Sequence, residues 1–160
     1  MRNKNMRTIN EIIIHCSDTQ EGCDVRAKDI RRWHMTPKEK GGRGWSDIGY
    51  HYVIDLDGTI EVGRPFEKRG AHCIGDDGSD HNSHSIGICY IGGRRVRLDL
   101  PRGWEWADTR TKEQREAMYY LVKALLAAFP KAGVHGHREF AARACPCFDV
   151  QAWLREMNII

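Results

Sequence analysis

The stretch NEIIIHC, residues 10–16, sets how the rest of the chain is read. Its apolar run is compact and has polar neighbours on both sides. That pattern reads as a buried strand. His15 stands at the end of the run, where a side chain can emerge at a sheet edge.

Working outward, the segment SIGICYIGG (85–93) is apolar nearly throughout and reads as a second, central strand, with Cys89 as a small core residue. Between these two, Asp24 is a plausible cap for a helix over 25–35, whose apolar spacing is Val25, Ile30 and Trp33. KEKGGRGWSDIG (38–49) is a glycine-rich loop. YHYVIDLDGTIEVGR (50–64) reads as a hairpin around Asp57-Gly58. Residues 70–84 form a loop of Gly, Asp, His and Ser. Residues 92–110 are basic and then aromatic (Trp104, Trp106), with no clear period.

Beyond Thr111 the pattern sharpens. Thr111 and Gln114 make a capping box, and Met118, Leu121, Val122, Leu125, Leu126 and Phe129 form one helical stripe that Pro130 ends. A short strand at 133–136 and a helix over 149–157 follow. The class is α/β, a central mixed sheet flanked by helices, read as one domain over residues 1–160.

Composition narrows the function classes. The chain has 160 residues, 41% hydrophobic and 29% charged, which suits a folded domain with one core. Net charge of +3 is mild; it fits an anionic polymer such as cell wall or nucleic acid and by itself says little. No apolar run approaches the roughly 20 residues of a membrane span. The basic start has too short an apolar run for a signal peptide, so cytoplasmic synthesis is expected. In that compartment the six Cys are expected to remain thiols.

The segment HGHREFAARACPCF (135–148) concentrates two His and two Cys. Catalytic zinc uses three protein donors and leaves one position open. His15, His137 and Cys145 are candidates. The His-x7-Cys gap is not zinc-finger spacing, and CPC is a poor chelate for one ion. Spacing alone leaves open a three-donor site or scattered core and surface residues.

Six motifs in order change that balance: IIIHCSDT, GWSDIGYHYVIDLDGTIEVGRP, GAHCIG, NSHSIGICYIGG, TKEQREAMYYLV and HREFAARACPCFDV. Together they resemble the zinc-dependent N-acetylmuramoyl-L-alanine amidases, the superfamily shared with peptidoglycan recognition proteins. Within it they are similar to the small amidase-type lysozymes of T-seven-like phages. The resemblance implies one Zn2+ held by His15, His137 and Cys145, with His137 lying eight residues before the Cys-Pro ligand. It implies hydrolysis of the amide between N-acetylmuramic acid and L-alanine in peptidoglycan, by a phage or prophage endolysin released through a holin.

The same resemblance gives Tyr50 a share in holding the developing oxyanion. It places His72 near the site; Trp45, apart from the resemblance, is a residue that could line a glycan groove. The residues themselves keep plainer readings open: a strand-packing Tyr50, a surface loop His72, a packed Trp45. One departure is clear. The family has a Lys two residues before the Cys ligand, and this chain has Arg143. Arginine binds an oxyanion but is a poor general acid. Cys147 is read as packing, and Glu139 as a group that orients His137.

A monomer is expected. Two alternatives accompany the enzyme reading: a non-catalytic peptidoglycan-binding module, disfavoured by the presence of Cys145, and a lysozyme that also binds and inhibits phage RNA polymerase. A Cys16 thiol enzyme is remote, because adjacent strand residues His15 and Cys16 face opposite ways.

Overall fold

The computed structural model describes residues 6–160. The basic start of the chain and the first five residues of the expected 1–160 domain lie outside the described residues.

The run at 10–16 forms β1 (Glu11–Cys16), and the other strands build around it. The short β2 (Thr19–Gln20) follows, then α1 (Ala27–Met35). The hairpin is β3 (Tyr52–Ile54) and β4 (Ile60–Val62), antiparallel as the Asp57-Gly58 signal implies. Next come β5 (Ser85–Tyr90), β6 (Gly93–Val96), β7 (Trp104–Trp106), α2 (Lys112–Ala128), β8 (Gly133–Gly136) and α3 (Val150–Glu156). The main sheet has the order β4-β3-β5-β1-β8, with β1 parallel to both β5 and β8.

Period-2 alternation gives this sheet two unlike faces. Ile12, Ile14 and Cys16 of β1, with Ile86, Ile88 and Tyr90 of β5, pack under Met118, Leu121, Val122 and Leu125 of α2 and Trp153 and Leu154 of α3. On the other face Val53 and Cys89 meet Ala27 and Ile30 of α1. That second face is only partly roofed by α1, and His15 emerges beside it.

The capping box at α2 forms as expected: Gln114 N–H donates to Thr111 Oγ1 at 3.0 Å and Thr111 N–H to the Gln114 side chain at 2.9 Å. Asp149 caps α3 through Ala152 N–H at 3.0 Å. All six cysteines are free thiols.

Three expectations are corrected. Asp24 does not cap α1; Arg26 holds that position, and Asp29 accepts its N–H at 2.9 Å from within the first turn. Asp24 instead pairs with the Arg26 guanidinium. Trp33 is not a core residue of α1: it is 41% exposed, and the buried stripe is Ala27, Ile30 and His34. Finally, the aperiodic segment 92–110 contains two strands, β6 and β7, which with β2 make a second sheet in the order β2-β6-β7. Its faces carry Arg94, Arg102, Trp104 and Trp106 stacked cation on ring.

Candidate active site

Three chain segments converge at the end of β1. His15 is 1% exposed and lies on the face opposite Ile14 and Cys16. His137 opens the short 3-10 turn His137–Glu139 that directly follows β8. Cys145 is drawn in by two backbone contacts: Arg138 N–H donates to its carbonyl at 2.8 Å, and Cys16 N–H donates to its sulfur at 3.3 Å. The Cys145 Sγ lies 3.8 Å from His15 Nδ1, and one donor atom from each of His15, His137 and Cys145 falls within 4.8 Å of the others. The parallel pairing of β1 with β8 makes this convergence, since it aligns the exits of both strands.

His15 Nε2 is committed elsewhere, at 2.8 Å from His72 Nδ1. With Nδ1 turned to Cys145 as a bare lone pair, Nε2 carries the proton and donates to His72 Nδ1. His72 Nε2–H then donates to Ser85 Oγ at 3.1 Å. Asn82 Oδ1 accepts from the backbone N–H of His72 at 2.7 Å and of Cys73 at 2.8 Å. Gly87 leaves room for the ring, because a Cβ there would come within 2.7 Å of the His72 imidazole. His72 is therefore a supported, partly buried group rather than a loose surface side chain.

Electrostatics keep these rings neutral. Burial, followed by repulsion from neighbouring imidazoles, holds His15 and His72 well below the ordinary histidine range. Burial and the Arg143 guanidinium bring His137 down to about 4. Neutral imidazoles are the form that binds metal.

Tyr50 lies across the site, its ring centroid 5.1 Å from that of His15. Burial pushes its phenol well above the usual value, so it stays a hydrogen-bond donor. His51 faces the other way, bonded to Gly87 N–H at 3.0 Å and to the Lys68 carbonyl at 2.8 Å. Trp45 packs on His34 at 4.7 Å, with the Arg43 guanidinium 5.0 Å over its indole. Arg143 is exposed at the rim. All of the expected site residues, His15, Trp45, Tyr50, His72, His137, Arg143 and Cys145, line one open cleft of about 1100 Å³.

Other lining residues escaped the sequence reading. Trp33 and His34 of α1 face the cleft. The four-residue spacing of His34 from Ile30 puts it on the inner stripe and is the sequence signal available for it. His34 accepts Gly49 N–H at 2.9 Å and so fixes the chain entering Tyr50. Asn82 and Ser85 are the supports of His72. Glu139 does not orient His137. It accepts from Gly136 N–H at 2.6 Å and bonds His135 Nδ1 at 3.0 Å, which closes the end of β8. Cys147 packs against Cys16, sulfur to sulfur at 3.8 Å.

Comparison with known proteins bears on this geometry directly. The family model described as N-acetylmuramoyl-L-alanine amidase matches residues 5–148. The chain belongs to that family. This amidase is 34% identical to the endolysin of Enterobacteria phage K11, over 94% of the chain and 89% of the relative. It is 33% identical to the endolysin of Escherichia phage T7, over 98% and 93%. Among solved structures, bumblebee PGRP-SA superposes with a TM-score of 0.68 at 28% identity, over 92% of this chain and 80% of that one. The amidase is of the phage-endolysin type, and its fold is that of the peptidoglycan-recognition proteins.

Proposed function

We propose that this amidase cleaves the bond between N-acetylmuramic acid and L-alanine of peptidoglycan, with one zinc ion held by His15, His137 and Cys145, and that residues 1–160 act as one amidase domain. The observation that carries the metal is the convergence of three donors at the cleft floor. The residues fit the ion. Two imidazoles are held neutral, a sulfur sits beside them, and the second nitrogen of His15 is handed to His72, the support that ligating histidines commonly have. Three donors leave the cleft side open for water and substrate.

When bound, zinc acidifies a water and polarises the scissile carbonyl. The chain's own residues do the rest. Tyr50 donates its hydroxyl hydrogen to the carbonyl oxygen as negative charge develops there. Arg143, at the rim, adds a fixed positive charge near the same oxygen and retains its proton. His72 holds His15 in one tautomer. Trp45 offers an apolar face to the glycan or stem peptide. Water or Tyr50 supplies the proton that the leaving amine needs.

The test is incubation with purified peptidoglycan and detection of newly exposed L-alanine amino termini. Release that vanishes with chelator and in Cys145→Ala supports the reading; no release from the zinc-loaded protein would replace it with a non-catalytic binding module. Synthesis in the cytoplasm, holin-dependent access to the wall, a monomeric state and binding to a phage RNA polymerase extend the endolysin kinship. A pull-down with the cognate polymerase tests the last.

A further inference from the structure

Glu11 opens β1 on the same face that His15 closes, and four residues at ~3.3 Å each put about 13 Å between them. The 70–84 loop crosses above Glu11 and lays two histidines on it. His81 Nδ1 is 3.0 and 3.1 Å from the two Glu11 oxygens, and His84 Nε2 also contacts Glu11 Oε1. The 3-10 turn Asn82–His84 explains the pairing, because side chains three apart eclipse in that geometry. The two ring centroids are 5.7 Å apart. One donor atom from each of the three residues falls within 4.8 Å of the others.

The proton positions matter here. Ser79 Oγ donates to Asp77 Oδ1 at 2.6 Å, so it accepts from His81 Nε2–H at 3.0 Å. His81 Nδ1 points at the Glu11 carboxylate, where a ring proton or a metal cation can join the two groups. The outer N–H of His81 rests on a hydroxyl anchored by Asp77, and the ring stacks on Phe140 at 4.0 Å, so the donor is already aimed. Two imidazoles and one carboxylate are a zinc-type donor set. The side chains of Glu11, His81 and His84 are 14%, 13% and 32% exposed, which leaves a solvent side open to an ion.

We propose that Glu11, His81 and His84 form a second divalent transition-metal site, separate from the cleft and sharing no ligand with it. Its role is to hold the 72–84 loop. Asn82 sits between the two histidines and carries the backbone of His72, so an ion here fastens the segment that supports His15.

The test is zinc titration of metal-free protein, with bound metal counted per chain, and a parallel cobalt titration in which a thiolate charge-transfer band marks Cys145. Wild type is expected to bind two ions. Cys145→Ala/His137→Ala is expected to keep one ion without the thiolate band. His81→Gln/His84→Gln is expected to keep one ion with it. A natively folded Cys145→Ala/His137→Ala that binds nothing overturns the proposal. If that variant does not fold, wild-type stoichiometry decides: a single ion with the thiolate band overturns the second site, and two ions support it. One ion without that band would keep the second site and remove the first.

Discussion

The two faces of the main sheet are made by the same strands and have opposite characters. Under α2 and α3, β1 and β5 present Ile12, Ile14, Ile86 and Ile88 to an apolar core. On the other face the same two strands present Glu11, His15, Ser85 and Gly87. One face is chosen for packing alone. The other packs only in part, where Val53 and Cys89 meet α1, and elsewhere holds imidazoles, a thiol and a hydroxyl in fixed places, with Gly87 giving the room. The lesson is that stability and chemistry are separated here by a single residue step along a strand, so substitutions one position apart should fail in different ways.

The sharpest break should come at Cys145→Ala. Activity on peptidoglycan should fall by more than the ~10–100-fold expected for loss of an outer support, while the thermal midpoint of the metal-free protein moves little. On the opposite face, Met118→Ala should cost about 2–5 kcal/mol in denaturant unfolding with the per-molecule activity of the folded fraction retained. If Met118→Ala instead lowers turnover of fully folded protein, the separation of faces is wrong. His72→Ala should lie between them, weakening zinc affinity by ~10–100-fold as read by competition with a chelator.

Acid should weaken the fold through two buried histidines. His34 and His51 are held near 4 by burial and are neutral in the fold. In the unfolded chain they charge near pH 6.5. Between about 6.5 and 4 the unfolded state thus binds more protons. The stability they contribute is fully present above that window and is lost as pH falls through it. Denaturant midpoints measured across the window should drop steadily; a flat profile would contradict the neutral assignment.

Asp55 has the opposite sign. It is 1% exposed, its oxygens meet no hydrogen-bond donor among the described residues, and Arg26 lies 3.6 Å away. Burial and the nearby Glu61 carboxylate raise it to about 7. The native state then binds the extra proton, so stability is lost as pH rises from about 4 to 7. Asp55→Asn should add about 1–2 kcal/mol at pH ~8 and nothing at pH ~4. The smallest effect is expected from Arg143→Lys, a change in rate under ~10-fold, because the positive charge at the rim is kept and a transferable proton is gained.

The apolar face was legible in the sequence because each of its elements has its own local period: the stripe from Met118 to Leu125, the runs around Ile13 and Ile88, the capping box at Thr111. The three donors at His15, His137 and Cys145 were reachable through motif resemblance and not through spacing, since the strand pairing that unites them lies between distant segments. The β2-β6-β7 sheet was not legible. Its strands are two to four residues long and are held by Arg–Trp stacking rather than by an apolar alternation. The supporting roles of Asn82 and Ser85 were also hidden, because they depend on a loop path that no local pattern encodes.

β1 lies between β5 and β8, and the donors it gathers stand at positions 15, 137 and 145. This ordering has a consequence during synthesis. A growing chain can pair β1 with β5 early, but one edge of β1 stays bare until residues 133–136 have emerged, and two of the three donors follow only after that. Such long-range pairing is slow to close. The three-donor cluster therefore cannot form before Cys145 has emerged, and a chain terminated short of that residue lacks a complete donor set.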